Sequence, residues 1–168
     1  VQHPQEPTTF EYWSHAACVL PLEDWPLFAF RRRAYRRRGF HWHKEPTRAI
    51  RAVRKALQAE GPLTTTGLGG AKKSADWWDW SDAKTAAEWL LMLGEVACVR
   101  RVGWRRVYDL AERAVPPEFR QAPTGTTWSD DDGVIGPDDD TCIRDLLCRS
   151  ARVMGVGTFE DIVDVHRL

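Results

Sequence analysis

The sequence predicts a mainly α protein with a short β-hairpin wing, a winged helix-turn-helix arranged in tandem units. Three observations point there. Ser81 to Leu110, SDAKTAAEWLLMLGEVACVRRVGWRRVYDL, reads as an amphipathic helix, a glycine stop and an arginine-studded hairpin. Thr47 to Glu60 supplies a bundle helix upstream of it. Thr141 to Asp161 then repeats the order of Thr47 to Leu68, as though a second unit were beginning.

Taken in order, Thr9 to Lys44 is expected to be a helical, basic segment that ends in the block FAFRRRAYRRRGFHWH, Phe28 to His43. A winged-helix unit follows from Pro46 to Phe119. Its first helix places Ala49, Ile50, Val53, Ala56 and Leu57 on one face, follows Pro46, and is closed by Gly61 and Pro62. A short second helix is expected around Thr64 to Leu68, weakened by its threonines and glycines. Ala71 to Trp80 connects, carrying Lys72, Lys73, Trp77, Trp78 and Trp80. Ser81 is placed to cap the next helix, and Asp82 puts a negative charge where the helix dipole favours one. Ala83, Ala86, Ala87, Leu90, Leu91 and Leu93 recur at helical spacing, while Lys84, Thr85 and Glu88 fall on other faces. Gly94 ends this recognition helix because it tolerates the left-handed conformation. Glu95 to Arg101 and Trp104 to Leu110 then read as strands, with Val102 and Gly103 at the reversal.

Residues 120–139, rich in Pro, Gly, Thr and Asp, read as an exposed linker. From 140 to 168 a further, truncated winged-helix unit is expected. Thr141 to Met154 carries Ile143, Leu146, Leu147, Ala151 and Met154 on one face, and Thr158 to Asp161 forms a capping box. A chain that starts at Val1 and stops in mid-motif reads as an internal piece of a larger protein, with tag removal or disordered termini as the alternative.

Bulk composition narrows the function classes. With 168 residues, 43% hydrophobic and 29% charged, the chain can bury a core of one or two units. No apolar run approaches the ~20 residues of a membrane span, and no secretory leader is present, so a cytoplasmic protein without membrane partners is expected. Cys18, Cys98, Cys142 and Cys148 are dispersed, as reduced and mostly buried thiols would be. The net charge is zero, from 24 basic and 24 acidic residues, but the basic ones crowd between Arg31 and Lys55.

That distribution nominates a double-stranded DNA surface. Arg31, Arg32, Arg33, Arg36, Arg37 and Arg38, interleaved with aromatics, suit phosphate contacts and base stacking, or else form a solvated helix edge. Lys72, Lys73 and Lys84 lie along the approach to the recognition helix. Arg100, Arg101, Trp104, Arg105 and Arg106 sit beside the hairpin reversal, where a tip would reach a phosphate backbone, the plain alternative being an ordinary solvated hairpin. No metal is expected. His15, Cys18, His41 and His43 lack the paired spacing of a zinc site, and the run Asp130 to Gly133 lacks the alternation of a calcium loop. No nucleotide or other cofactor motif occurs. In EYWSH, Glu11 and His15 are weak catalytic candidates that could share proton transfer, the other reading being a structural hydrogen-bond knot.

EYWSHAACVLP at Glu11 to Pro21, the arginine block, WWDWSDAK at Trp77 to Lys84 and RRVYDLAERAVP at Arg105 to Pro116 together resemble the bacterial winged-helix DNA glycosylases that unhook interstrand crosslinks, the YcaQ-like family. The similarity runs through essentially the whole chain and is loosest in the Asp-rich segment. It implies tandem winged-helix units forming a concave DNA-binding surface, and metal-independent hydrolysis of the N-glycosidic bond of alkylated, chiefly N7-modified, purines. The family's catalytic motif is Gln-x-Gln or Gln-x-Asp. Neither occurs here: Gln58-Ala59-Glu60 ends wrongly, and Gln2 and Gln5 are misspaced. Catalytic residues are therefore expected outside this chain, and only the DNA-binding positions carry over. The expected role is the DNA-binding middle of a repair glycosylase, monomeric, acting on damaged duplex. The rivals are a non-enzymatic winged-helix transcriptional regulator and a protein-binding adaptor.

Overall fold

The computed structural model describes residues 7–41, 45–70 and 81–168. Helices and small sheets alternate along the chain, so the architecture is mixed α/β rather than mainly α. The first departure from expectation is at the start. β1 (Thr9–Trp13) and β2 (Ala17–Pro21) form an antiparallel hairpin, with Thr9 opposite Pro21 and Trp13 opposite Ala17. TFEYW is rich in β-branched and aromatic side chains, which fit a pleated surface better than a helix. Two 3-10 turns follow, and the helix is confined to α1 (Ala29–Arg38), stopped by Gly39 at a φ of 73°.

α2 (Thr47–Glu60) has the expected bounds and buries Ile50, Val53 and Leu57. The short helix expected at Thr64 to Leu68 is absent. Instead Leu63–Thr64 forms β3, pairing Leu63 with Tyr108 and Thr64 with Val107, before a turn in which Leu68 N donates to Thr64 O at 3.0 Å. A run of three threonines resists helix because each loses χ1 freedom there.

α3 (Asp82–Met92) starts as the sequence requires, with Ser81 Oγ accepting from Lys84 N at 3.3 Å. It ends in a Schellman turn: Glu95 N donates to Leu90 O and Gly94 N to Leu91 O, both at 3.0 Å, with Gly94 at a φ of 72°. β4 (Val96–Val102) and β5 (Arg105–Leu110) follow, with a register shift between Cys98 and Arg100 and a turn through Gly103 and Trp104. The three strands lie in the order β3-β5-β4. A single turn, α4 (Ala111–Ala114), leads onward.

The acidic segment is not merely a linker. β6 (Ser129–Asp131) and β7 (Val134–Gly136) pair through a two-residue loop, Asp132-Gly133, whose φ values of 55° and 66° are those of a type I′ turn. Val134 is buried against α1, and Gly136 lies so close to Ala29 that a Cβ there would overlap it. α5 (Asp139–Met154) begins two residues earlier than expected because Asp138 caps it, accepting from Thr141 N at 2.9 Å. The capping box of Thr158 and Asp161 opens α6 (Phe159–Asp164).

Two apolar cores meet at β4, which gives Val96 to one and Ala97 to the other. One joins Ile50, Val53 and Leu57 to Leu90, Leu91, Val96 and Tyr108. The other gathers Phe10, Tyr12, Trp25 and Phe28 with Ala97, Val115 and Leu146. Tyr12 Oη donates to Met92 O at 2.6 Å and links the two. The helix expected to be a recognition helix is therefore covered: every side chain from Ala86 to Met92 is buried, and Leu93 with them. Only its first turn stays accessible. Glu88, placed by its polarity on an outer face, is 4% exposed because Arg106 and Tyr108 satisfy it inside. All four cysteines are free thiols; Cys98 and Cys142 are buried and Cys148 is exposed. Among the described residues no helix is long and apolar enough to cross a membrane.

Candidate nucleic-acid interface

Alternation along a strand sends successive side chains to opposite faces, and this divides the hairpin arginines into two pairs. Arg101 and Arg106 are cross-strand partners and both turn toward β1. Arg101 holds Glu11 through Nε at 2.8 Å and Nη2 at 2.7 Å, while Arg106 bridges Glu11 at 2.8 Å and Glu88 at 2.8 and 2.9 Å. Arg100 and Arg105 share the other face, are exposed, and have no acidic partner among the described residues. Between them, at the tip, Trp104 is 92% exposed and Val102 is 48% exposed. The shift between Cys98 and Arg100 is a bulge, which increases twist and re-aims the tip away from the core. A bare indole flanked by two unpaired guanidiniums can stack on a base or wedge into a groove while the arginines hold phosphates.

The arginine block behaves differently. Arg32 and Arg33 are 3% and 1% exposed, so neither guanidinium stands open on the surface as the sequence reading expects. Arg32 Nη2 donates to Trp25 O at 2.7 Å and its guanidinium lies 4.5 Å from the Trp25 ring. Arg33 reaches Asp139 at 2.8 Å and the carbonyls of Val134 and Pro137. Arg31 ties four carbonyls, those of Trp13, Ser14, His166 and Arg167, at 2.6 to 3.0 Å. Arg37 pairs with Asp132 at 2.9 Å and Asp139 at 3.2 Å. Thus α1 staples the β1–β2 hairpin, the acidic hairpin and the end of the chain together. Arg36 and Arg38 remain, the first half-buried and the second exposed. A signal that could have foretold this was the acidic run from Asp130 to Asp140, whose charge is opposite to that of the arginine block.

Lys84 lies in the first turn of α3 and is half-buried. Lys72, Lys73 and the Trp77, Trp78, Trp80 cluster lie outside the described residues, as does His43. His41 stacks on Tyr35, with ring centroids 6.4 Å apart. Among the described residues no group of three or more His, Cys, Asp or Glu side chains could hold a metal ion.

Glu11 and His15 are not brought together as an acid–base pair. Burial alone would push the Glu11 carboxyl up, but hydrogen bonds from Arg101, Arg106 and Cys98 outweigh it and bring the group down to about 2. Glu11 is thus a fixed anion. The same surroundings push the Cys98 thiol up to about 12, first through burial and then through the neighbouring carboxylate. His15 meets the Asp164 carbonyl at 3.0 Å and the Asp164 carboxylate at 3.5 Å. Ser14 Oγ meets His166 Nδ1 at 2.8 Å. The EYWSH cluster is a hydrogen-bond knot that fastens β1 to β4, β5 and the chain's end.

No solved structure matches the chain. A family model described as DNA glycosylase AlkZ-like matches residues 2–168. The chain, whose hairpin offers an aromatic and two exposed arginines to solvent, belongs to the AlkZ-like DNA glycosylase family.

Proposed function

We propose that this chain is the DNA-binding portion of a repair glycosylase for alkylated or crosslinked purines, and that it grips damaged duplex DNA through a winged-helix unit spanning residues 46–119. The observation that carries the reading is the β4–β5 tip: Trp104 bare, with Arg100 and Arg105 unpaired on one face, in a chain of this family. The order α2, β3, α3, β4, β5 and the sheet order β3-β5-β4 support a winged helix. Because α3 is buried beyond its first turn, the wing takes over much of the work of a recognition helix. Contacts made mainly to phosphates suit a repair protein, which must engage lesions in any sequence.

The chemistry agrees with such a surface. Cleaving an N-glycosidic bond needs an oriented water and stabilisation of the cationic sugar of the transition state. A base tied to the opposite strand resists flipping, so an open basic surface with a stacking ring serves better than a deep pocket. The wing supplies binding, and the family's Gln-x-Gln or Gln-x-Asp motif does not occur in this sequence. No cofactor is needed for hydrolysis of this kind.

The test is duplex binding over a range of salt, with and without an N7-alkylguanine, paired with base release by this chain and by the longer protein. Binding should show little sequence preference, and R100A/R105A should flatten the salt slope by about 2. Tight binding to one undamaged sequence, with no base release by either protein, would replace this reading with that of a regulator.

A further inference from the structure

At the foot of the β4–β5 hairpin, away from its tip, a cleft of about 380 Å³ opens among α1, α2, the start of β4 and the β6–β7 turn. Arg32, Arg36, Arg54 and Arg120 line it, with Glu95 and Glu112 as its acidic members. The charges do not cancel, since four guanidiniums meet two carboxylates. Arg54 takes both oxygens of Glu95, at 2.7 and 2.9 Å, which engages that carboxylate fully. Arg36 reaches the same group only at 3.8 Å. Arg120 donates to the carbonyls of Val115 and Glu112, at 2.7 and 3.0 Å, and so keeps its whole charge.

Arg32 is the sharper anomaly. It is buried, its Nη1 has no hydrogen-bond partner among the described residues, and the same holds for Arg36 Nε beside it. Burial pulls the Arg32 guanidinium down to about 10, which still leaves it charged at neutral pH. A cation kept from water without a counter-ion is costly, and an anion arriving in the cleft recovers that cost. The backbone makes room for the Arg32 side chain. Gly94 adopts its positive φ where an added Cβ would overlap Arg32 Cδ, and a Cβ at Gly133 would lie 3.6 Å from Arg36 Nη1.

We propose that this cleft seats a phosphodiester group of the nucleic-acid backbone, contacted by Arg36 and backed by the buried charge of Arg32. The inference rests on the DNA-binding reading above and adds a second anchor to it. At about 3.3 Å per strand residue, the foot of β4 and the tip lie roughly 20 Å apart, less than one duplex turn of about 34 Å. Arg36 is half-buried and its guanidinium fork suits two oxygens of one phosphate.

The test uses this chain with two probes: inorganic phosphate against chloride at matched ionic strength, read by thermal unfolding, and an undamaged duplex, read by affinity against salt. Phosphate should raise the unfolding midpoint of the parent chain and of R100A/R105A, less so of R36K, and not of R36Q. R36Q should weaken the undamaged duplex and flatten the salt slope by about 1. No phosphate effect beyond chloride, or an unchanged salt slope in R36Q, would overturn the proposal. Phosphate protection lost in R36Q while duplex binding stays at the parent level would assign the cleft to a free phosphate instead. Loss of duplex binding in R100A/R105A with R36Q unaltered would refute the cleft and leave the wing standing.

Discussion

Replacing Glu11 by glutamine removes one charge from the network that joins β1 to α3 and β5, and its cost can be worked from the geometry. Glu11 is 9% exposed and receives both Arg101 and Arg106, with Cys98 Sγ at 3.2 Å. Breaking a buried ion pair from one side costs about 3–5 kcal/mol. The lower end applies, because Arg106 keeps Glu88 and Arg101 can turn to water. The fall of the carboxyl from the ordinary 4.5 to about 2, at about 1.4 kcal/mol per pH unit, reflects the same contacts and is of the same order, about 3 kcal/mol. At roughly 2–4 °C per kcal/mol for a chain of this size, E11Q should lower the unfolding midpoint by about 6–12 °C at pH 7. A group depressed on folding stabilises fully above its unfolded value and loses that contribution as pH drops toward its folded one. The gap between parent and E11Q should therefore narrow below about 4.5 and fall to roughly half by pH 3. Circular dichroism melts at pH 7, 5, 4 and 3 read it directly. A midpoint loss under about 3 °C at pH 7, or a gap undiminished at pH 3, would refute the account of Glu11 as a buried structural anion.

Two further outcomes follow from single sites. Gly94→Ala combines a φ of 72° with overlap on Arg32, so it should cost at least about 2 kcal/mol, measured by denaturant midpoint, whereas Gly155→Ala, with open space around it, should cost less. His166 is buried against Phe28, and burial, then Arg31 and Arg149, hold its imidazole below the ordinary value. Its contribution to stability is complete above about 6.5 and declines as pH falls, so His166→Gln should flatten the stability profile between pH 7 and 5; an unaltered profile in a denaturant series would contradict this.

The sequence by itself determined what is local. The bounds of α2, the Ser81 cap, the Gly94 turn, the β4–β5 hairpin and the Thr158 capping box all depend on contiguous residues, where spacing and backbone preference decide, although the hairpin reverses at Gly103-Trp104, one residue later than the expected Val102-Gly103. The Asp132-Gly133 turn was equally local, yet its acidic, Pro- and Gly-rich surroundings masked it as linker. The resemblance carried by EYWSHAACVLP and RRVYDLAERAVP reached the right family for the same reason, since it rests on contiguous residues. Which arginines are available to a phosphate was not local. Arg33 finds Asp139 across 106 positions, Arg101 finds Glu11 across 90, and Arg106 finds Glu88 across 18 from a different element. Helical and strand periods sort apolar from polar side chains, but they carry no information about a charge paired inside. Only the tertiary structure decided that α3 is enclosed, that most of the arginine block is a staple, and that Arg100 and Arg105 stay free, because burying a charge depends on the counter-charge that folding brings to it.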